Sequence, residues 1–117
     1  MAAPNIVSVA TITGKTAVMA VTTSATAIVS NSAASGKVFK VNALYVANID
    51  GTNACDLTVD LFRSSTAYKI ASTVSVPADS TLDVINKAFY LEEGDSLRLI
   101  AGANSDLEAV CFYEEIS

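Results

Sequence analysis

The stretch VFKVNALYVANIDGTNACDLTVDLFR, residues 38–63, decides the fold class. Apolar and polar side chains alternate over 54–63, which places one set on each face of a strand: Cys55, Leu57, Val59 and Leu61 on the first, Asp56, Thr58, Asp60 and Phe62 on the second. Such alternation is typical of an antiparallel strand with one buried face. Residues 38–48 form a second strand, and we expect residues 49–53 to join the two as a hairpin, with Gly51 at positive φ.

Similar short runs, rich in β-branched residues, continue on both sides of this pair. We predict strands at 5–13, at two places within 16–30, and at 67–74, 81–86, 87–91, 96–103 and 107–116. Turn formers separate them, among them Gly14-Lys15, Pro77 and Gly94 in the Glu92–Asp95 turn. About 8–10 short strands at this spacing predict an all-β protein, an antiparallel β-sandwich resembling a jelly roll. We expect a single domain over residues 1–117.

The first thirty residues carry fewer large side chains than the rest of the chain. We therefore expect residues 1–30 to include an N-terminal arm that becomes ordered only against a neighbouring molecule. Ile6, Val7 and Val9 are the apolar residues of this segment that we predict to lie in an interface.

Composition excludes several classes of function. The chain has 117 residues, a net charge of −5 and no histidine, and its basic residues are scattered, which argues against nucleic acid as a partner. Only 16% of its residues are charged, against about 25% in an ordinary domain, so we expect a surface that a partner covers. The sequence shows neither a signal peptide nor a membrane span, and we expect it to be made in a cytoplasm.

No group of residues has the pattern of a catalytic or metal site. The serine and threonine hydroxyls lack a histidine or a convincing lysine as base, so we expect no enzyme activity and no cofactor. Asp56 and Asp60 lie about 13 Å apart along one strand, too far for one metal ion, and are interpreted as its solvated face. Residues 50–53 offer oxygen ligands for calcium, but a plain turn is the preferred interpretation. We interpret the Glu92–Asp95 carboxylates as solubilising charges.

Two cysteines and one aromatic residue remain. Cys55 and Cys111 match no zinc or redox spacing, and we predict buried free thiols rather than a disulfide. Most aromatic residues are assigned to the core. Phe62 is the exception, because it shares a strand face with Asp56 and Asp60, and we predict that it contacts a partner.

Three segments, taken in order, resemble a known group of proteins. They are LYVANIDGTNACDLTVDLFRSS at 44–65, SVPADSTLDVI at 75–85 and FYLEEGDSLRLIAGANSDLEAVCFYEEIS at 89–117. This set is similar to the small β-sandwich virion proteins of tailed bacteriophages, including marine and cyanobacterial phages. The shared features are an aromatic-rich strand ending at Asn48, a short acidic loop, the Pro77-Ala78 turn and the Leu91–Leu99 turn and strand.

The resemblance implies a structural component of the virion without catalytic residues. Within that group we predict a capsid decoration or cement protein that binds the major capsid protein as a homotrimer, by analogy with decoration proteins. Two alternatives stay open: a neck, tail or fibre component of the same particle, and a glycan-binding module for attachment to the host.

Overall fold

The computed structural model describes residues 4–117 of the chain. Within this range the chain forms nine strands: β1 (Ile12–Val21), β2 (Thr26–Ser30), β3 (Val38–Asn48), β4 (Cys55–Arg63), β5 (Thr66–Val76), β6 (Thr81–Asp83), β7 (Phe89–Leu91), β8 (Ser96–Ala101) and β9 (Leu107–Ile116). The described part contains no α-helix.

The strands form two antiparallel sheets. Sheet A has the order β1-β9-β3-β6, with β7 also paired to β3, and sheet B has the order β2-β8-β4-β5. Strands from the two ends of the chain therefore interleave, as in the double Greek key of a jelly roll. The predicted fold class is confirmed.

The core lies between the sheets and is built from the inward side chains of the long strands. Fully buried residues of sheet A (Val41, Leu44, Val46, Leu107, Cys111) pack against those of sheet B (Leu57, Val59, Leu97, Leu99). Both cysteines are buried free thiols, as predicted. Burial raises the pKa of the Cys111 thiol to about 11.

Residues 49–53 do not form the predicted hairpin. β3 and β4 lie in different sheets, because β9 and β6–β7 occupy both edges of β3 while β5 and β8 flank β4. Residues 49–53 therefore cross from one sheet to the other, and Gly51 is not among the residues with positive φ. Buried Asn48 anchors this crossing by donating to the carbonyls of Asn53 and Val76 at 3.0 and 2.9 Å.

The hairpin that does involve β4 joins it to β5. Its two turn residues, Ser64 and Ser65, both have positive φ, 52° and 59°. A type I′ turn requires positive φ at both central residues, and its twist suits two paired strands. Gly94 has φ 90°, as predicted for the turn before β8, and β5 ends directly before Pro77.

The N-terminal prediction is wrong in detail. Residues 5–11 are not a strand, and Gly14 and Lys15 lie inside β1 rather than breaking it. β1 pairs with β9 and β2 pairs with β8, so both strands belong to the sandwich. Any N-terminal arm is therefore confined to the residues before Ile12. Of that segment, residues 1–3 lie outside the described range.

Candidate interaction surface

The N-terminal residues predicted as contacts are largely exposed. Ile6 and Val7 are 51% and 87% accessible, and Val9 is half-buried. The segment is anchored to the C-terminus, because the N–H groups of Ala10 and Thr11 both donate to the Ser117 carbonyl at 2.9 Å. The structure thus presents two large apolar side chains to solvent at this end of the sandwich.

Phe62 lies on the outer face of sheet B, as predicted, but is partly covered by its own chain. The guanidinium of Arg98 stacks over its ring, 4.0 Å from the centroid. This cation–π contact is favourable by about 0.5–1 kcal/mol at an exposed site. Phe62 is half-buried and stays a predicted contact residue.

Asp60 faces outward as predicted, but its interpretation as solvated is wrong. Its side chain is fully buried beneath Arg98, which donates to the two carboxylate oxygens at 2.9 and 3.1 Å, while Lys69 Nζ lies 3.9 Å away. The hydrogen bond to Asp60 raises the pKa of Arg98. Asp56, on the same face, is exposed as predicted.

The Glu92–Asp95 turn is a structural ion-pair site rather than a solubilising cluster. Asp95 is 1% exposed and accepts from Arg63 Nε at 2.7 Å and from the Glu92 N–H at 2.8 Å. Burial alone would raise the pKa of Asp95, but these hydrogen bonds outweigh it and lower the pKa. Glu93 accepts from the Gly36 N–H at 2.9 Å, so this turn also ties down the loop before β3.

The outer face of sheet A carries an apolar row that the sequence did not predict. Val18 on β1, Val110 on β9 and Tyr45 on β3 are directly opposite one another in the sheet register. Val18 is 73% exposed and Tyr45 38%, and Phe112, also on this face, meets the Tyr45 ring edge-on with centroids 5.6 Å apart. We call these four residues the apolar row.

A second apolar feature is a groove at the opposite edge of the sandwich. It has a volume of about 480 Å³ and lies where β5 approaches the segment between β6 and β7. Its lining is mostly apolar, with two lysines among the polar residues: Leu61, Tyr68, Lys69, Ile70, Val84, Ile85, Asn86, Lys87 and Phe89. The two features lie on different parts of the surface.

The acidic loop considered for calcium satisfies its own hydrogen bonds. The Asp50 carboxylate accepts from the N–H of Thr52 at 2.8 Å and from that of Asn53 at 3.3 Å, and these bonds lower the pKa of Asp50. Among residues 4–117, no three Cys, Asp or Glu side chains lie together in a way that could hold a metal ion. No helix in the same range could span a membrane.

No protein-family model matches the chain, and no curated protein matches its sequence. Among solved structures, a chain from the acid-stable capsid of Helicobacter pylori bacteriophage KHP30 superimposes with a TM-score of 0.57 at 8% identity, covering 94% of this chain and 90% of that one. A chain of the Bacillus endospore appendages, described as disulfide-linked pili, gives a TM-score of 0.53 at 16% identity, covering 92% and 88%. A pentameric capsid protein from metagenomic phage sequences gives 0.41 at 15% identity, covering 84% and 59%.

At these identities the likeness establishes the fold and nothing finer. The chain is a β-sandwich whose architecture also occurs in a phage capsid and in a bacterial pilus.

Proposed function

We propose that this protein is a structural, non-catalytic component of a tailed-phage virion, and specifically a decoration protein that binds the major capsid protein. The exposed apolar row on sheet A carries this proposal, because single scattered apolar residues are ordinary whereas an ordered row marks a contact surface. The shared fold with a phage capsid chain supports the same assignment. The marine or cyanobacterial origin of the phage remains a prediction.

The physical role of such a protein is to add contact free energy to the shell. Burial of apolar area is favourable by about 25 cal/mol per Å² before the costs of association, and a standard interface of about 1,600 Å² is sufficient for specific attachment. A low surface charge suits this role, because few charged groups must be desolvated when the contact forms. The predicted homotrimer would need a head-to-tail contact between copies, since three-fold assembly uses two different patches.

Binding to particles tests the proposal directly. Purified protein is mixed with capsids that lack it, and bound protein is quantified after sedimentation. Tyr45→Lys places a charge in the apolar row and is expected to reduce binding at least tenfold. Tyr68→Lys, the same change at an exposed tyrosine of sheet B, is the matched control and should bind normally. Equal binding by both variants would contradict the role of the row.

Copy number and location separate decoration from a neck, tail or fibre role. Decoration predicts a number of copies comparable to that of the capsid subunits and a tag that appears over the whole shell. A few copies at one vertex or on the tail would instead favour the alternative.

The pilus structure is the observation that favours a fibre role. Both thiols of this chain are buried, however, so disulfide linkage between copies would require a structural change around Cys55 or Cys111.

A glycan-binding module is the remaining alternative. It predicts affinity on a glycan array that is lost when Tyr45, Tyr68 or Tyr90 becomes alanine. These tyrosines are all exposed, at 38%, 57% and 40%. Tyr45→Lys therefore separates the two roles only when particle binding and glycan binding are both measured.

A further inference from the structure

The edges of the two sheets differ in how well they resist the addition of another strand. On sheet B, β2 has five residues and a register shift, while β5 has two register shifts and a positive-φ residue, Thr73. On sheet A, β6 and β7 have three residues each. Shortness, bulges and charge are the features by which proteins protect such edges from pairing.

β1 lacks these protections. It forms the other edge of sheet A, has ten residues, and pairs with β9 in an unbroken register from Ile12 to Val21. Lys15 is its one charged side chain, and that lysine lies 3.4 Å from Glu115. A long, regular edge with little charge leaves a row of backbone donors and acceptors available to another strand.

We propose that β1 binds the β1 strand of a second copy of this chain, antiparallel and around a two-fold axis, so that the two sheets A form one continuous sheet. Val18 would lie on the axis, opposite Val18 of the second copy. Directly opposite residues of two antiparallel strands point to the same face of the sheet. This register therefore places the outward side chains of both copies on one continuous face. It places Lys15 opposite Val21 of the second copy, so no like charges meet.

The apolar row supplies the reason for choosing this register. Tyr45, Val110 and Val18 lie in line across β3, β9 and β1, and the line ends at the open edge with Val18 73% exposed. Pairing at Val18 continues the line into the second copy without interruption and covers the most exposed side chain of the row. A two-fold contact is self-complementary, which a single kind of edge strand can satisfy without a second protein.

This contact does not depend on the capsid proposal. It is also distinct from the head-to-tail contact of a trimer, because a two-fold axis uses the same patch on both copies. The β1 contact would give a dimer by itself, or would join copies that belong to two different trimers.

Cysteine cross-linking tests the register. Directly opposite residues of antiparallel strands have Cα atoms about 4.5–5.5 Å apart, within the range of a disulfide. The native cysteines are buried and should not interfere. Val18→Cys is expected to give a disulfide-linked dimer under mild oxidation, at least tenfold faster than Thr16→Cys on the same face of β1. Val74→Cys, on the protected edge β5, is the matched control.

Three outcomes of the cross-linking would overturn the proposal. Equal rates for Val18→Cys and Thr16→Cys would exclude the register, and rapid cross-linking of Val74→Cys would exclude β1 as the preferred edge. If Val18→Cys cross-links to another virion protein in intact particles but never to a second copy, the strand that pairs with β1 is a foreign one.

Sedimentation of the unmodified protein provides an independent test. We expect association that increases with concentration, and Val18→Lys should reduce it at least tenfold because two lysines would meet on the axis. Val74→Lys adds the same charge at an exposed valine of β5, in the other sheet, and should leave association unchanged. Thermal melting of each variant shows whether the sandwich stays folded. A wild-type monomer at millimolar concentration, or association unaffected by Val18→Lys, would contradict the proposal.

Discussion

Asp60 and Asp56 lie four residues apart on the same face of β4, yet their surroundings are opposite. Asp60 is fully buried against Arg98, whereas Asp56 is exposed. The difference arises from the cross-strand neighbours, because Asp60 faces Arg98 on β8 and Lys69 on β5, while Asp56 faces Ser75 on β5. The strand pattern predicted the face of both residues correctly, but it could not predict which carboxylate a cation would cover.

We expect Asp60→Asn to destabilise the fold by about 3 kcal/mol, because it removes the carboxylate from a desolvated ion pair and leaves Arg98 without its partner. Asp56→Asn is the matched control and should change the free energy of unfolding by less than about 0.5 kcal/mol. Urea denaturation at neutral pH measures both values. Equal effects of the two variants would show that the Asp60–Arg98 contact contributes nothing specific to stability.

For the strands, the sequence predicted where each one lies along the chain better than it predicted which strands pair. β3 and β9 have the predicted bounds, and the inward positions of Leu57, Val59, Leu97 and Leu99 are confirmed. The predicted pairing of β3 with β4 was wrong, because the alternation of apolar and polar residues shows only that one face of a strand is buried. In a sandwich a short connection can either turn within a sheet or cross to the other, and an Asp-Gly pair is compatible with both.

The β4–β5 turn provides a prediction at this scale. Ser65 has φ 59°, a conformation that glycine adopts without the steric cost that a side chain brings. We expect Ser65→Gly to raise the free energy of unfolding by about 0.5–1 kcal/mol. Ser75→Gly introduces the same change within β5 and should lower it by a similar amount, since glycine weakens a strand interior. Denaturant midpoints compare the two variants, and destabilisation by Ser65→Gly would contradict the assigned turn geometry.

For the whole molecule, the ion pairs determine how stability depends on pH. The pKa values of Asp95 and Glu115 are lowered in the folded protein, by Arg63 and the Glu92 N–H in the first case and by Lys37 and Lys15 in the second, both against the effect of burial. A carboxyl group with a depressed folded pKa binds protons more readily in the unfolded chain. Its contribution to stability is therefore present above its unfolded pKa, about 4, and is lost as the pH falls through the folded pKa.

We accordingly expect the stability of the wild-type protein to be nearly constant from about pH 7 to pH 5 and to fall below about pH 4. Asp95→Asn should lower the free energy of unfolding by about 2 kcal/mol at neutral pH and reduce the decline in acid. Urea midpoints measured from pH 7 to pH 3 test this, with Asp56→Asn as the control. A decline of equal steepness in wild type and Asp95→Asn would contradict the role of Asp95.

Only part of the candidate interaction surface could be predicted from the sequence. The apolar N-terminal residues and Phe62 can be recognised locally, as apolar side chains in a sparse segment and on a polar strand face. The apolar row cannot, because Val18, Val110 and Tyr45 come from three strands and become neighbours only through the register of sheet A. From the sequence, most aromatic residues were assigned to the core, Tyr45 and Phe112 among them, whereas both are exposed.

The strand order also determines when this protein can fold. The last strand, β9, lies between β1 and β3 in sheet A, and β8 lies between β2 and β4 in sheet B. A ribosome-bound chain that ends before residue 96 therefore lacks a central strand from each sheet. Its earlier strands have no partner across the gap, so the sandwich closes only after β8 and β9 have been synthesised. Such long-range pairing is slow, of the order of milliseconds to seconds, and the unpaired strand edges stay exposed during that time.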